Sequence, residues 1–225
     1  KVSNFLKDNT DLSLLLKSEI LKIEKKYDEL GNVYEEMLKK ESTENLAFRG
    51  MMEHYLRLQD YHHAFLYGEK LFIKNPFIEK IYDTLVNIIV KTNNWQQLLI
   101  ITDKAFQKKI INKKNFQENK SIAFYEIAKI QQYGQIKESI YNIKKALKLR
   151  DNFPPYIDLY LQILIDSQNY AEAKKLLRNS WSNKANIEYK KYLRDLSKNL
   201  KIIPLELAKF IASSNFNNKD FKIFM

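Results

Sequence analysis

Residues 60–72 read DYHHAFLYGEKLF, and this stretch decides the fold. A polar residue is followed by an aromatic one, and a small residue comes three positions later. Four other stretches repeat this order of polar, bulky apolar and apolar or small residues, and their lead apolar residues stand 34, 34, 41 and 34 positions apart along the chain. The other four are KYDELGNVYEEML (26–38), NWQQLLIITDKAF (94–106), QIKESIYNIKKAL (135–147) and NYAEAKKLLRNSW (169–181).

A period of 34 residues is typical of the tetratricopeptide repeat, a unit of two antiparallel helices. With repeats starting near residues 11, 45, 79, 120 and 154, apolar residues recur three and four positions apart and share one helical face. The pattern therefore predicts an all-α fold, a right-handed superhelix of about five helix pairs plus terminal capping helices. The whole chain, 1–225, is predicted to be a single helical-repeat domain.

Two departures from the strict period mark the ends and the middle of the array. About seven extra residues fall near 108–118, where they either lengthen a helix or make a longer loop. After the fifth repeat, residues 186–213 are predicted to form capping helices, because a terminal element must cover the apolar face of the last repeat. Pro204 suits the first turn of the second of them.

The composition agrees with a helical fold and argues against several fold types and chemistries. The 225 residues include only four Gly and four Pro, so folds that depend on Gly-rich turns or phosphate loops are disfavoured. The absence of Cys excludes disulfides and thiolate chemistry. The formal net charge of +11 favours an acidic partner, although a general Lys enrichment of the proteome would produce the same excess.

Several longer stretches resemble the HemY-type family of bacterial inner-membrane repeat proteins, in its alphaproteobacterial form. The resemblance spans about residues 11–214. The stretches are YEEMLKKESTENLAFRG (34–50), NNWQQLL (93–99), IKKALKLRDNFPP (143–155), AEAKKLLRNSW (171–181) and IEYKKYL (187–193) with IIPLELAKFIASSN (202–215).

The resemblance implies a repeat domain on the cytoplasmic side of the bacterial inner membrane, tethered by a membrane anchor outside this chain. It also implies a scaffold without catalytic residues that organises enzymes of tetrapyrrole and haem biosynthesis. The predicted partner is a protein, through an extended or helical acidic segment, and no cofactor is predicted. Two alternatives stay open: a porphyrin- or haem-handling carrier, and a generic peptide-binding adaptor with no link to haem.

Partner-contacting residues follow from the repeat type, in which positions 2, 5, 9, 12 and 13 of each first helix line the inner surface. This surface is mixed and polar, with basic residues in the middle repeats. Glu53 stands where chaperone-binding members carry a carboxylate-clamp Asn, which argues against binding of a free C-terminal carboxylate. The candidates are Arg49, Glu53, Arg57, Lys80, Asp83, Asn87, Lys91, Phe124, Gln131, Gln132, Asp158 and Gln162.

Other chemistries have weaker support in the sequence. His54, His62 and His63 could ligate a metal or haem, but nothing in the pattern places all three on one centre, so solvent-facing turn residues are expected. Interleaved aromatic residues and lysines could stack on nucleic acid, but most of the aromatic residues occupy predicted core positions. No carboxylate pair or Ser–His pair suggests a pocket for catalysis, so an enzyme is not predicted.

Overall fold

The computed structural model describes residues 10–183 and 186–215, and this part of the chain is helical with no strand. The prediction of an all-α helical-repeat fold is therefore confirmed. The helices are α1 (Asp11–Ile23), α2 (Tyr27–Leu38), α3 (Glu44–Arg57), α4 (Tyr61–Lys74), α5 (Ile81–Thr92), α6 (Trp95–Gln107), α7 (Lys113–Gln131), α8 (Ile136–Leu149), α9 (Pro154–Asp166), α10 (Tyr170–Asn183), α11 (Leu193–Leu200) and α12 (Pro204–Ala212), with 3₁₀ turns at Ile187–Tyr192 and Ser213–Asn215.

The helices form two compact units, unit 1 (Lys1–Asn112) and unit 2 (Lys113–Met225). In unit 1 each helix from α1 to α6 packs against the next one along the chain. In unit 2 the same is true from α7 to α10, and α10 then packs against both α11 and α12. Successive packing of short helices is the arrangement expected of helical-hairpin repeats. Whether the whole chain forms one domain stays a prediction.

The turns between the first and second helices of four repeats share one backbone geometry. Lys25, Gln59, Asn93 and Gln168 all have φ near +55°, in the left-handed region. The following amide donates to a carbonyl five residues earlier in each case, as Asp60 N does to Tyr55 O at 2.9 Å. A left-handed residue followed by a hydrogen bond of this span is the Schellman motif, which caps the C-terminus of a helix. The four turns recur along the chain at the spacing of the repeats in the sequence.

The turn of the fourth repeat is closed differently. Gly134 occupies the equivalent position but does not have a positive φ. The Gln135 amide donates to Gln131 O at 2.8 Å, four residues back rather than five. Ile130 stands at the repeat position where Leu21, Ile89 and Leu164 are buried, but it is 62% exposed at the end of α7, whereas Ala128 is buried there. The extra residues before this repeat lengthen α7, which is 19 residues long.

Most of the predicted core positions are buried in both units. In unit 1, α1, α2 and α3 enclose a cluster around Leu30, Met37 and Ala47. In unit 2, Trp181 is fully buried in a cluster that extends from α7 to α12. The predicted capping segment therefore covers the last repeat, although its first part is a 3₁₀ turn rather than α-helix. Pro204 begins α12, where its missing amide hydrogen is not needed.

Candidate functional site

The first helices of the repeats carry two adjacent pockets in unit 1. The larger, about 270 Å³, lies between α3 and the residues that lead into α5. Among its lining residues are three of the predicted partner-contacting residues, Arg49, Glu53 and Lys80, with an apolar floor that includes Met52 and Leu71. The second, about 220 Å³, lies between α1 and α3. We call these the α3–α5 pocket and the α1–α3 pocket.

Arg49 and Glu53 line both pockets and are paired with each other. Arg49 Nε donates to Glu53 Oε1 at 3.0 Å across one turn of α3, and the two side chains are 57% and 40% exposed. The carboxylate therefore has a second oxygen that can accept hydrogen bonds, and the guanidinium has further donors. The pair forms a polar divider between two partly apolar depressions.

The α1–α3 pocket depends on a glycine that the sequence analysis did not single out. Gly50 lies directly under the ring of Tyr34, and a Cβ at this position would come within 2.2 Å of Tyr34 Cζ. Tyr34 is buried and lines the pocket together with Lys22 and Ser18. The sequence gives one indication of this contact, since a glycine inside a helical pattern usually has a packing reason.

The other predicted basic residues of unit 1 lie against neighbouring groups. The Arg57 guanidinium lies 4.4 Å from the centre of the Tyr27 ring. Lys80 Nζ is 3.6 Å from Glu79, and Lys91 Nζ is 3.4 Å from the Tyr61 hydroxyl. Arg57 and Lys91 are exposed outside both pockets, as are Asp83 and Asn87. Of the predicted partner-contacting residues of unit 1, the structure thus brings Arg49, Glu53 and Lys80 together in one pocket.

Unit 2 has a pocket of about 430 Å³ on its own first helices, α7 and α9. Gln132, Asp158 and Gln162, all predicted partner-contacting residues, line it. The Gln132 side-chain nitrogen donates to Lys129 O at 2.9 Å, whereas its side-chain oxygen is buried without a hydrogen-bond partner. That oxygen is an acceptor available to a ligand group. We call this the α7–α9 pocket.

Asp158 is held at the edge of the α7–α9 pocket by the segment after α10. Tyr192 donates to Asp158 Oδ1 at 2.7 Å, and Lys191 Nζ lies 2.6 Å from the same oxygen. Burial, together with the hydrogen bond to Asp158, raises the pKa of Tyr192, and burial raises the pKa of Tyr189 to about 12. Both hydroxyls therefore stay protonated at neutral pH. Sequence reasoning missed Tyr189 and Lys191 as lining residues, because the segment was interpreted only as a cap.

Two predicted partner-contacting residues of unit 2 lie apart from this pocket. The Phe124 ring packs toward α8, where Lys145 Nζ is 5.0 Å from its centre. The Gln131 side-chain oxygen accepts a hydrogen bond from Asn142 of α8 at 2.7 Å. Both side chains thus contribute to the packing of α7 on α8. Their role in partner binding stays a prediction that this placement does not favour.

The histidines lie in unit 1 and do not share a centre. His54 is half-buried, packs over Gly31, and has a buried Nδ1 without a hydrogen-bond partner. His62 and His63 are exposed, and His63 Nδ1 lies 2.7 Å from Asp60 Oδ2. Within residues 10–183 and 186–215, no group of three or more His, Asp or Glu side chains could hold a metal ion. The expectation of a solvent-facing turn residue is wrong for His54, because its ring covers the small surface of Gly31.

None of the helices in the described ranges is long and apolar enough to cross a membrane.

No protein-family model and no curated protein matches the chain. Among solved structures it is similar to a chain of Naa15/Naa10 bound to HypK-THB, with a TM-score of 0.55 and 16% identity over 95% of this chain and 33% of that chain. It is also similar to YrrB, a tetratricopeptide protein with an unusual peptide-binding site (TM-score 0.38, 13% identity, 79% and 88% covered), and to the TPR2AB domain of yeast Sti1 in its pHSP90 complex (TM-score 0.34, 14% identity, 87% and 85% covered).

The first of these likenesses shows a shared helical fold, and the chain spans about a third of the length of that relative. The period of the helical hairpins, repeated in the four Schellman turns, is that of the tetratricopeptide type. The chain therefore has a tetratricopeptide-like, all-α repeat fold.

Proposed function

We propose that the protein is a non-enzymatic scaffold that binds other proteins through the first helices of its repeats. The observation that carries this proposal is the pair of adjacent pockets in unit 1, divided by Arg49 and Glu53. Both pockets combine an apolar floor with a polar rim, which is the composition of a protein-binding surface. An apolar side chain of the partner would enter each pocket, and its main chain would pass over the Arg49–Glu53 pair.

The spacing of the pockets suits an extended or helical segment of a partner. The α1–α3 and α3–α5 pockets both include residues of α3, so neighbouring anchor residues of one segment can reach both. The spare donors of Arg49 and the spare oxygen of Glu53 can bond the polar groups between the anchors. The net charge of +11 supports an acidic segment as the partner.

The finer proposal rests on the sequence resemblance. Its HemY-type stretches support a role in organising enzymes of tetrapyrrole and haem biosynthesis. By the same resemblance, the domain would stand on the cytoplasmic side of the bacterial inner membrane, held by an anchor outside this chain. Fractionation of the native full-length protein tests this location, and recovery in the soluble fraction after cell lysis would contradict it.

The experiment for the scaffold is affinity capture from a detergent-solubilised membrane extract of the native host. Wild type is compared with the Arg49→Glu/Lys80→Glu variant, and the bound proteins are identified by mass spectrometry. Lys17→Glu/Lys70→Glu is the matched control, because it changes the net charge of unit 1 equally at exposed positions outside both pockets. The strongest candidate is then purified and its affinity measured directly.

The proposal expects a discrete set of proteins that the pocket variant loses and the control variant retains. Enzymes of tetrapyrrole synthesis in that set would support the finer proposal, and a set without them would favour the generic adaptor. Equal recovery of all proteins by the three forms would contradict the scaffold function.

The haem-carrier alternative has one observation in its favour, the unpartnered Nδ1 of His54. Titration with haem tests it, with the Soret band as the readout. A shift that is lost in His54→Ala but kept in His62→Ala would favour a carrier built on His54. An unshifted Soret band would eliminate this alternative.

A further inference from the structure

The positive charge of the protein is concentrated in unit 2. Residues 1–112 contain 17 Lys and Arg against 16 Asp and Glu, and residues 113–225 contain 21 against 11, so the formal net charges are +1 and +10. Five charges of this difference come from fewer acidic residues in unit 2 and four come from additional basic residues. A general Lys enrichment would raise the number of basic residues in both halves and would not remove acidic residues from one of them.

The predicted partner-contacting cations of unit 1 are a poor explanation for the recognition of an acidic segment. Arg49 is paired with Glu53 and Lys80 lies beside Glu79, and the formal net charge of unit 1 is only +1. A carboxylate next to a cation largely cancels its field at larger distances, and salt screens the remainder beyond about 8 Å at physiological ionic strength. The long-range attraction of an acidic segment must therefore come mainly from elsewhere in the chain.

One pocket of unit 2 has the required charge. It lies between α10 and α12 and has a volume of about 380 Å³. Three cations line it, together with the ring of Phe210, and no carboxylate lines it in the part of the chain that the structure describes. The cations are Lys174, Lys175 and Arg178. We call it the α10–α12 pocket.

The nearby acidic side chains do not neutralise this pocket. Glu172 points to the other side of α10, where it accepts from Tyr160 and lies 2.9 Å from Lys144. The hydrogen bond from Tyr160 and the pairing with Lys144 lower the pKa of Glu172, so it is charged and already engaged at neutral pH. Glu206 lies one turn before Phe210 on α12 and does not line the pocket.

Phe210 holds two of the cations in place. Lys174 Nζ is 4.3 Å and Arg178 Cζ is 4.2 Å from the centre of the ring, which is 38% exposed. A cation stacked over an aromatic face loses part of its conformational freedom before a ligand arrives. The planar guanidinium keeps its N–H edges available for a carboxylate while its face rests on the ring.

We propose that the α10–α12 pocket recognises acidic side chains of a protein partner of the scaffold. This inference rests on the proposed scaffold function and deepens it, because it moves the charge recognition from α3 and α5 to α10. A run of Asp or Glu residues would place carboxylates against Lys174, Lys175 and Arg178. An acidic protein segment fits better than a nucleic acid, because the cations occupy a single turn of α10 instead of a long track.

The test uses the whole chain and a labelled hexaglutamate peptide, with hexaglutamine as the uncharged control peptide and a thymidine hexanucleotide as the nucleic-acid probe. Binding is measured by fluorescence anisotropy at 50 and 200 mM salt. The variant is Lys174→Glu/Arg178→Glu. The matched control is Lys113→Glu/Lys137→Glu, two exposed lysines of the same unit at the first turns of α7 and α8, where Glu is favourable. Circular dichroism verifies that all forms fold.

We expect hexaglutamate to bind more weakly at 200 mM salt, and at least 10-fold more weakly to the α10 variant than to wild type. The control variant should stay within about 2-fold of wild type. Phe210→Leu keeps the apolar contact but removes the ring, and we expect a loss of about 3-fold, the range of an exposed cation–π contact.

Equal loss in both double variants would overturn the inference, because it would show attraction to overall charge alone. Tighter binding of the oligonucleotide, lost in the α10 variant, would overturn it in favour of a nucleic-acid site. No binding of hexaglutamate would overturn it as well. None of these outcomes affects the scaffold function, which depends on the pockets of unit 1 and is tested by the Arg49→Glu/Lys80→Glu variant.

Discussion

Units 1 and 2 are built from the same helical hairpin but differ in three respects. In unit 1, α3 and α5 are the first helices of their hairpins, and each ends in a Schellman turn. In unit 2, the first helix of the first hairpin, α7, does not. Unit 1 is nearly neutral and unit 2 carries a formal charge of +10. Unit 2 also buries three tyrosines with hydroxyl groups near carboxylates. The difference shows that a shared backbone repeat leaves charge and buried polar groups free to vary.

The largest expected difference between the units is their response to alkaline pH. Burial raises the pKa of Tyr160 and of Tyr189 to about 12, against about 10 in an unfolded chain. A raised folded pKa adds stability below pH 10, and this contribution is lost as the pH rises from 10 through 12. Each shift of two units corresponds to roughly 3 kcal/mol.

We therefore expect unit 2 to open before unit 1 between pH 10 and 12. Hydrogen-exchange mass spectrometry at increasing pH, corrected for the intrinsic exchange rate, follows both units in one sample. Tyrosinate absorbance should rise together with the loss of protection in α9 and α10. Earlier opening of unit 1, where burial also raises the pKa of Tyr34, would contradict the comparison.

The second prediction concerns the packing of unit 1. Gly50→Ala should lower the free energy of unfolding of unit 1 by about 3 kcal/mol, because the added methyl group would overlap the buried ring of Tyr34. Gly68→Ala is the matched control. There the nearest atoms, at 2.9 Å, belong to the flexible side chains of Leu85 and Met52, and we expect about 1 kcal/mol.

Urea denaturation of both variants measures these changes. Hydrogen-exchange protection of α8 to α10 should stay as in wild type, since the added methyl group would overlap the Tyr34 ring within unit 1. An equal effect of the two substitutions would show that the Tyr34 ring moves aside as easily as Met52.

The third prediction separates the two kinds of turn. Gln59 has φ 58°, so Gln59→Gly should stabilise unit 1 by up to about 1 kcal/mol. Gly134 does not have a positive φ, and a Cβ added there would have no other atom within 4 Å. Gly134→Ala should therefore stabilise unit 2 by roughly 0.5 kcal/mol. The same position of the repeat thus prefers opposite substitutions. Thermal melting measures the stability of both variants. Gln59→Ala is the control, and it should not raise the melting temperature.

The smallest expected effect concerns the divider of the unit 1 pockets. A double-mutant cycle of Arg49→Ala and Glu53→Ala should give a coupling energy of about 0.3–0.5 kcal/mol, as for other exposed pairs one helical turn apart. Such a small value would leave both side chains free to serve a partner. A coupling above about 1 kcal/mol, measured by urea denaturation, would instead indicate a structural role for the pair.

Helix placement was largely predictable, and the predicted surface only partly so. Pro204 and the 34-residue period indicated where helices begin, because these features act through local backbone chemistry. Of the predicted contact residues, Arg49, Glu53 and Lys80 meet in one pocket, but Phe124 and Gln131 pack on α8. The repeat positions assume a standard hairpin, and α7 is both longer and differently capped.

Apolar spacing and helix-end chemistry act over a few residues along the chain, so the helical hairpins, their period and most core residues could be predicted from the sequence. Which side chains meet across helices depends instead on how the helices pack. The pairing of Tyr192 with Asp158, the placement of Tyr34 over Gly50 and the grouping of Lys174 and Arg178 around Phe210 each join residues 16 to 36 positions apart. No periodicity encodes such contacts, since they depend on how separate helices pack against each other.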